Sequence, residues 1–220
     1  MFVALSVIAL APWGAQQVSP AAGIGYGQNP WYRPAMGDGE SLEALMSRYV
    51  VGEPDAFDRL YARTSQRVFA FQMVMTGDRN RAEDLCQTTF LKLHRAREGY
   101  IEGSPVIPWL MAIARNVFLD DARKRTRARV RITSTGDVPD VVDPKSAQPP
   151  PSGLKDAIDR AVDALSPLQR EAFVLTKHSG LSPRDAARVL GTSETAVKLR
   201  VHRAYLALRQ ALAPYRSGDA

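Results

Sequence analysis

The sequence predicts an all-α protein of two small helical domains joined by a flexible linker, the second of which carries a helix-turn-helix. Apolar residues recur at helical i, i+3, i+4 spacing on both sides of residues 133–152. No stretch shows the alternation expected of a half-buried strand. Residues 133–152 contain five prolines and three aspartates, a composition typical of a linker. We therefore predict an N-terminal extension over 1–39, domains over 40–132 and 153–214, and a linker between the domains.

Composition limits the kind of protein further. The chain has 220 residues, and its 29 Lys and Arg against 23 Asp and Glu give a net charge of +6, which favours a polyanionic partner. The single cysteine, Cys86, excludes an internal disulfide, and one Cys with three scattered His does not make a zinc site. We predict no catalytic residue, no metal and no cofactor, in a reduced cytoplasmic protein.

Residues 1–39 differ in composition from the remainder. The run from Phe2 to Pro12 is apolar, but no Lys or Arg precedes it, so it lacks the basic flank of a secretory signal. It is also shorter than the ~20 apolar residues that a membrane span needs. We interpret the segment as a disordered extension or as the result of a start codon assigned too early, with Met36 as the alternative start; a membrane tether ranks third.

The first domain is predicted to contain four helices. They begin near Ser41, near Phe57 after the Gly52 and Pro54 break, near Arg79 after a turn, and near Pro108. The third helix is amphipathic, and its predicted core positions are Ala82, Leu85, Cys86, Thr89, Phe90, Leu93 and Ala96. Its opposite face places Leu91 among acidic and amide side chains. That pattern hints at a partner surface, although such a face is usually only solvated.

The fourth helix continues into a dense basic run between Arg123 and Arg131, and a loop with the aromatic residue Tyr100 precedes it. Basic runs are most often solvated. Beside an aromatic-bearing loop, however, this run suits a site for single-stranded nucleic acid, in which cations bind phosphates and the ring stacks on a base.

The second domain ends in the helix-turn-helix. Ser182 can cap its first helix with Pro183 in the first turn, and Gly191 can end it. Thr192 or Ser193 then caps a second helix, whose outer face is basic. This arrangement is typical of a recognition helix in a DNA major groove. An ordinary αα-hairpin with a solvated charged face is the alternative interpretation.

Two separated stretches resemble a known family in the same order. RAEDLCQTTFLKLHRA followed by WLMAIARNVFLDDARKR resembles region 2 of bacterial sigma factors of the extracytoplasmic-function (ECF) type. LSPLQREAFVLTKHSGLSPRDAARVLGTSETAVKLRVHRAYLALR resembles region 4 of the same family. The resemblance implies a non-catalytic subunit that directs RNA polymerase core to promoters and assists melting of the −10 element. A free-standing helix-turn-helix regulator is the main alternative, and an enzyme acting on nucleic acid is a weaker one.

The resemblance also implies roles for individual residues. Core polymerase binding falls on Asp84, Gln87, Thr88 and Leu91. Contact with the −10 strand falls on Tyr100, within the loop from Glu98 to Pro105, and on Arg115, Asn116, Arg123 and Lys124. Base reading at the −35 element falls on Lys198, Leu199 and His202, with backbone contacts from Thr195, Arg200 and Arg203.

The expected partners are the polymerase β′ clamp and β flap, promoter DNA and an anti-sigma factor, which can hold such a protein at the membrane. No small-molecule substrate is expected.

Overall fold

The computed structural model describes residues 39–134 and 153–215. Regular structure within these ranges is helical, with no β-strand among them, so the predicted all-α class is confirmed. The α-helices are α1 Leu42–Val50, α2 Pro54–Thr76, α3 Arg79–Ala96, α4 Val106–Ser134, α5 Leu154–Asp163, α6 Pro167–Phe173, α7 Pro183–Leu190 and α8 Glu194–Ala211. The predictions for residues 1–38, and for 135–152 of the predicted linker, lie outside the described residues. The linker was predicted to begin at Thr133, but Thr133 and Ser134 belong to the end of α4.

Local sequence signals set most helix ends in the first group, α1–α4. The Ser41 hydroxyl caps α1 by accepting a hydrogen bond from a backbone N–H of the first turn. Pro54 opens α2, where a missing N–H costs nothing. Gly77 ends α2 with a left-handed backbone (φ 66°), and Asp78 caps α3. The turn predicted between the second and third helices is therefore confirmed.

The fourth helix begins at Val106, two residues before the predicted start near Pro108. Its first backbone N–H donates to the Glu43 carboxylate of α1 at 3.3 Å, and the Val106 side chain is fully buried. A helix start satisfied by a residue 63 positions away has no local signature, which explains the difference.

The core of α1–α4 consists of the apolar stripes that the sequence predicts. Among its largest fully buried side chains are Leu45, Met46, Leu60, Phe71, Leu93, Leu110 and Met111. Cys86 lies at 6% exposure, and burial raises the pKa of its thiol to about 11. It is thus the small core residue that was predicted, protonated and shielded at neutral pH.

The second group, α5–α8, is also capped from its own sequence. Ser166 and Gln169 form a capping box at α6, and the Ser182 hydroxyl accepts from the Asp185 N–H at α7. Between α6 and α7 lies a π-helical turn, Val174–His178, which the sequence pattern did not indicate. Its wider turn accompanies the complete burial of two neighbouring residues, Val174 and Leu175.

The two helical groups pack against each other. Helix α4 contacts α7, and α2 contacts the π-helical turn. One apolar cluster runs from Leu45 in α1 through Ala114 in α4 to Val197 in α8. The described residues accordingly belong to a single compact unit, Trp31–Ala220. The sequence predicted both groups but not this shared core.

Candidate nucleic-acid interface

The helix-turn-helix is built from α7, a short turn and α8. Helix α7 buries Ala186, Ala187 and Val189 and ends at Gly191, whose backbone is left-handed (φ 62°). Ser193 is the cap of α8, accepting from the Ala196 N–H at 3.2 Å, so of the two predicted caps the structure uses Ser193. The small side chains of α7 let the two helices approach closely, and this fixes the direction in which α8 presents its outer face.

The outer face of α8 is an exposed stripe one helix wide. The residues Thr195, Lys198, Leu199, His202 and Arg203 are exposed and follow i, i+3, i+4 spacing, whereas Arg200 at the flank is half-buried. Lys198 forms an i, i+4 ion pair with Glu194 at 2.7 Å, and both side chains are well exposed. Leu199 is 48% exposed, and an apolar side chain there can contact a thymine methyl group. The stripe thus combines cations and an apolar contact on a convex helix surface.

The loop before α4 has its aromatic residue partly buried. The Tyr100 hydroxyl donates to the Ser104 carbonyl oxygen at 2.5 Å, and its ring lies 5.5 Å from the Trp109 ring. Burial, helped by the negative charges of Glu43 and Glu102, raises the pKa of Tyr100 to about 12, so the hydroxyl remains a donor. Tyr100 therefore ties the loop to the start of α4, and its stacking on a base stays a prediction.

The tip of the same loop exposes Ile101, at 48% of its surface. The sequence interpretation did not single out this residue, because one apolar residue in a glycine-containing loop carries no periodic signal. Apolar side chains of this kind can insert between bases. Ile101 is therefore an additional candidate contact at this end of α4.

Most of the predicted nucleic-acid contacts on α4 are exposed to solvent. Asn116, Arg123 and Lys124 are exposed, and their contact with nucleic acid stays a prediction. The two acidic residues of this segment face α3 instead. Asp120 pairs with Lys92 at 2.9 Å and also contacts Arg123 at 3.4 Å, while Asp121 pairs with Arg81. Because Asp120 and Asp121 pair with Lys92 and Arg81, their carboxylates are turned toward α3, and the exposed side of this segment carries the cations Arg123 and Lys124.

Arg115 is in a different environment from its predicted partners. Its guanidinium donates from Nε and Nη2 to Glu171 Oε2 of α6, at 3.3 and 3.1 Å. Its side chain is only 20% exposed, and that of Glu171 is 6% exposed. In this conformation Arg115 is therefore turned toward the second helical group.

The predicted polymerase-binding residues lie on the outer face of α3. Asp84, Gln87 and Leu91 are exposed, with Leu91 at 50%, and Thr88 is half-buried. Two shallow grooves flank this face along α2, and Gln87 lines the first of them. The second groove is almost wholly apolar and is lined by Tyr49, Phe57, Phe90, Leu91 and His94.

Two general features complete the description. Within residues 39–134 and 153–215, no group of three His, Cys, Asp or Glu side chains is arranged to hold a metal ion. No helix in these ranges is long and apolar enough to cross a membrane.

An exposed helix-turn-helix on an all-helical body defines a helical DNA-binding protein, and comparison with known proteins identifies its family. The sigma-70 region 2 family model matches residues 60–128, and the sigma-70 region 4 model matches residues 155–208. The RNA polymerase sigma factor CarQ of Myxococcus xanthus is 38% identical over 169 residues, which are 76% of this chain and 95% of CarQ. The ECF sigma factor BldN of Streptomyces coelicolor is 36% identical, covering 82% of this chain and 69% of BldN.

A solved structure agrees with the sequence relatives. The sigma factor RpoE of Bartonella quintana, in co-crystal with the anti-sigma factor NepR, superposes with a TM-score of 0.60 at 30% identity, over 72% of this chain and 98% of RpoE. The chain therefore belongs to the ECF sigma factors, and the resemblance found in the sequence is confirmed. It is a regulatory subunit that directs RNA polymerase to promoters, and a free-standing regulator is not favoured.

Proposed function

We propose that α8 reads the −35 element as intact duplex, while α4 and its preceding loop contact the melted −10 strand. The observation that carries the proposal is the outer stripe of α8. Five of the six residues expected at the −35 element lie exposed on it. A convex basic helix fits the major groove of a duplex. Lys198, Leu199 and His202 then lie against base edges, and Thr195, Arg200 and Arg203 against the backbone.

At the −10 element, Asn116, Arg123 and Lys124 form the basic surface along which an unpaired strand lies. Ile101 and the ring of Tyr100 are the apolar groups that meet unstacked bases at the end of this surface. The ties from Tyr100 to Ser104 and Trp109 keep the loop in one conformation before DNA arrives. A loop ordered in advance loses less entropy on binding.

The outer face of α3 is the proposed contact with the polymerase β′ clamp. Asp84 and Gln87 offer polar groups on it, and Leu91 is a half-exposed apolar anchor at the rim of the second groove. Protein interfaces commonly combine such a central apolar anchor with a polar rim. Residues 153–214 are the proposed contact with the polymerase β flap. Promoter recognition is divided between residues 40–132, at the −10 element, and residues 153–214, at the −35 element.

An anti-sigma factor is the proposed regulatory partner, acting on a cytoplasmic chain. Support comes from similar proteins, since RpoE of Bartonella quintana was co-crystallised with the anti-sigma factor NepR, and CnrH was solved in complex with the cytosolic domain of CnrY. CnrH matches 78% of this chain at 25% identity and a TM-score of 0.58. Co-expression with candidate anti-sigma proteins, followed by affinity purification of this chain, tests the proposal. A true partner should lower the amount of chain recovered with core polymerase.

Transcription with purified components tests the main proposal. The chain is added to core polymerase with a library of genomic fragments, and initiation at specific sites is expected. Footprinting of the selected fragments is then compared with and without core polymerase. Tight, palindromic protection by the chain alone would favour the free-standing regulator instead, and no stimulated initiation on any fragment would contradict a sigma factor.

A further inference from the structure

An ion pair joins the two helical groups at their shared interface. Arg115 of α4 donates twice to Glu171 of α6, with a shortest distance of 3.1 Å. Glu171 is 4% exposed as a whole residue, so its carboxylate has lost nearly all contact with water. The apolar surfaces of α7 and the π-helical turn lie against α4 and α2 in the same interface.

A buried carboxylate needs its cation far more than an exposed one does. Desolvation makes such a pair a modest contributor to stability, but removing one partner leaves an uncompensated buried charge and is strongly unfavourable. The Arg115–Glu171 pair therefore favours one specific arrangement of the two groups. The exposed pairs on α3 and α8, Arg79–Glu83 and Lys198–Glu194, impose no comparable restriction.

Packing of the two groups affects the two DNA-binding surfaces differently. The Arg115 side chain is only 20% exposed, and its Nε and Nη2 donors are directed at Glu171, so these donors are unavailable to a DNA strand in this arrangement. Helix α8 packs on α5, α6 and α7, and its outer stripe remains exposed. The closed arrangement thus withholds one cation of the −10 surface and leaves the −35 surface accessible.

We propose that the Arg115–Glu171 pair is an intramolecular latch, which holds the isolated chain closed and opens when polymerase and the −10 strand are engaged. The inference rests on the proposed −10 role of Arg115 and adds a regulatory state to it. On opening, the Arg115 guanidinium loses its hydrogen bonds to the Glu171 carboxylate and donates instead to phosphate or base acceptors of the DNA. No second protein is required for the closed state, and the ligands shift a pre-existing equilibrium toward the open one.

The test uses the full chain without polymerase, at low salt. Small-angle X-ray scattering gives the radius of gyration, and fluorescence anisotropy gives affinity for random-sequence pools of single-stranded and duplex oligonucleotides. Glu171→Gln should raise the open-to-closed ratio by at least about tenfold. The radius of gyration should increase, and single-strand affinity should rise several-fold more than duplex affinity.

Glu53→Gln is the matched control, because it removes the same charge from an ion pair with Arg48 that lies within the first helical group and is more exposed, with 44% of the Glu53 side chain open against 6% for Glu171. It should reproduce any general electrostatic gain in DNA binding but none of the expansion. The double exchange Arg115→Glu with Glu171→Arg rebuilds the pair in reverse and should restore the compact radius. Circular dichroism verifies that each variant is folded. If Glu171→Gln does not fold, the double exchange decides the outcome.

Three results would overturn the latch. They are an expanded wild-type chain at low salt, a folded Glu171→Gln variant with the wild-type radius, and a folded double exchange that stays expanded. Each of these can occur while the wild-type chain still initiates transcription with core polymerase. Failure of the latch is therefore distinguishable from failure of the proposed promoter function.

Discussion

The hydroxyl of Tyr100 offers a sharp test of how the −10 loop is held. Tyr100→Phe keeps the ring beside Trp109 but removes the 2.5 Å hydrogen bond to the Ser104 carbonyl oxygen. A hydrogen bond of this kind contributes about 0.5–1.5 kcal/mol, which corresponds to a roughly two- to tenfold change in the fraction of ordered loop. Tyr100→Ala also loses the aromatic packing, for a total of about 3 kcal/mol.

The effect on promoter opening is measured by the permanganate reactivity of unpaired thymines. The assay contains core polymerase and a promoter that the chain selects. If loop order limits strand capture, Tyr100→Phe should reduce −10 reactivity roughly two- to tenfold. Tyr100→Ala should reduce it further, and duplex −35 binding should be unchanged in both. Tyr215→Phe, at a residue outside α8, controls for loss of a tyrosine hydroxyl. Wild-type opening by Tyr100→Phe would refute the loop-holding argument, and wild-type opening by Tyr100→Ala would refute base stacking as well.

Two further substitutions and the reactivity of Cys86 test other parts of the molecule. Lys198→Ala should weaken −35 duplex binding by about 1–3 kcal/mol in anisotropy titrations if Lys198 reads a base, whereas an equal loss on every duplex would assign it to phosphate. Leu91→Ala should lower affinity for core polymerase by about 1 kcal/mol or more without changing Tm. Val51→Ala, at an exposed aliphatic residue between α1 and α2 (76% against 50%), should not; equal effects in a pull-down would remove Leu91 from the interface. Cys86 should react with iodoacetamide at pH 8 far more slowly than an exposed thiol, because its pKa near 11 keeps it protonated and burial keeps it shielded. Rapid alkylation at pH 8 would contradict the burial argument. Because the pKa of the thiol is raised from 9.0 by folding, the contribution of Cys86 to the free energy of unfolding is complete below pH 9 and is lost as the pH rises toward 11. Thermal melts at these pH values can follow this loss.

Several features could be predicted because their physical causes are local. The caps at Ser182 and Ser193 and the left-handed Gly191 act through backbone atoms within four residues, so the short sequence pattern carries them. Burial of Cys86 follows from its place in the amphipathic pattern of α3. The exposed stripe of α8 follows from the same periodicity.

Other features depend on contacts that no short pattern contains. Glu43 satisfies the first N–H of α4 across 63 positions, and Arg115 meets Glu171 across 56. Tyr100 lies in a loop with no apolar periodicity, so its burial could not be predicted; it is half-buried because Trp109 and Ser104 lie beside it in the folded chain. The π-helical turn arises where Val174 and Leu175 are both buried next to α2.

By itself the sequence determined the helices, their buried stripes, the helix-turn-helix and the family, because periodicity and capping act over a few residues and the family motifs are contiguous. Tertiary structure alone decided how the loop before α4 and the side chains of α4 are presented. It holds that loop through Tyr100 and turns Arg115 inward to Glu171. Those outcomes depend on which helix faces meet in space, and the burial of a charge or ring is settled only when distant segments exclude water from it.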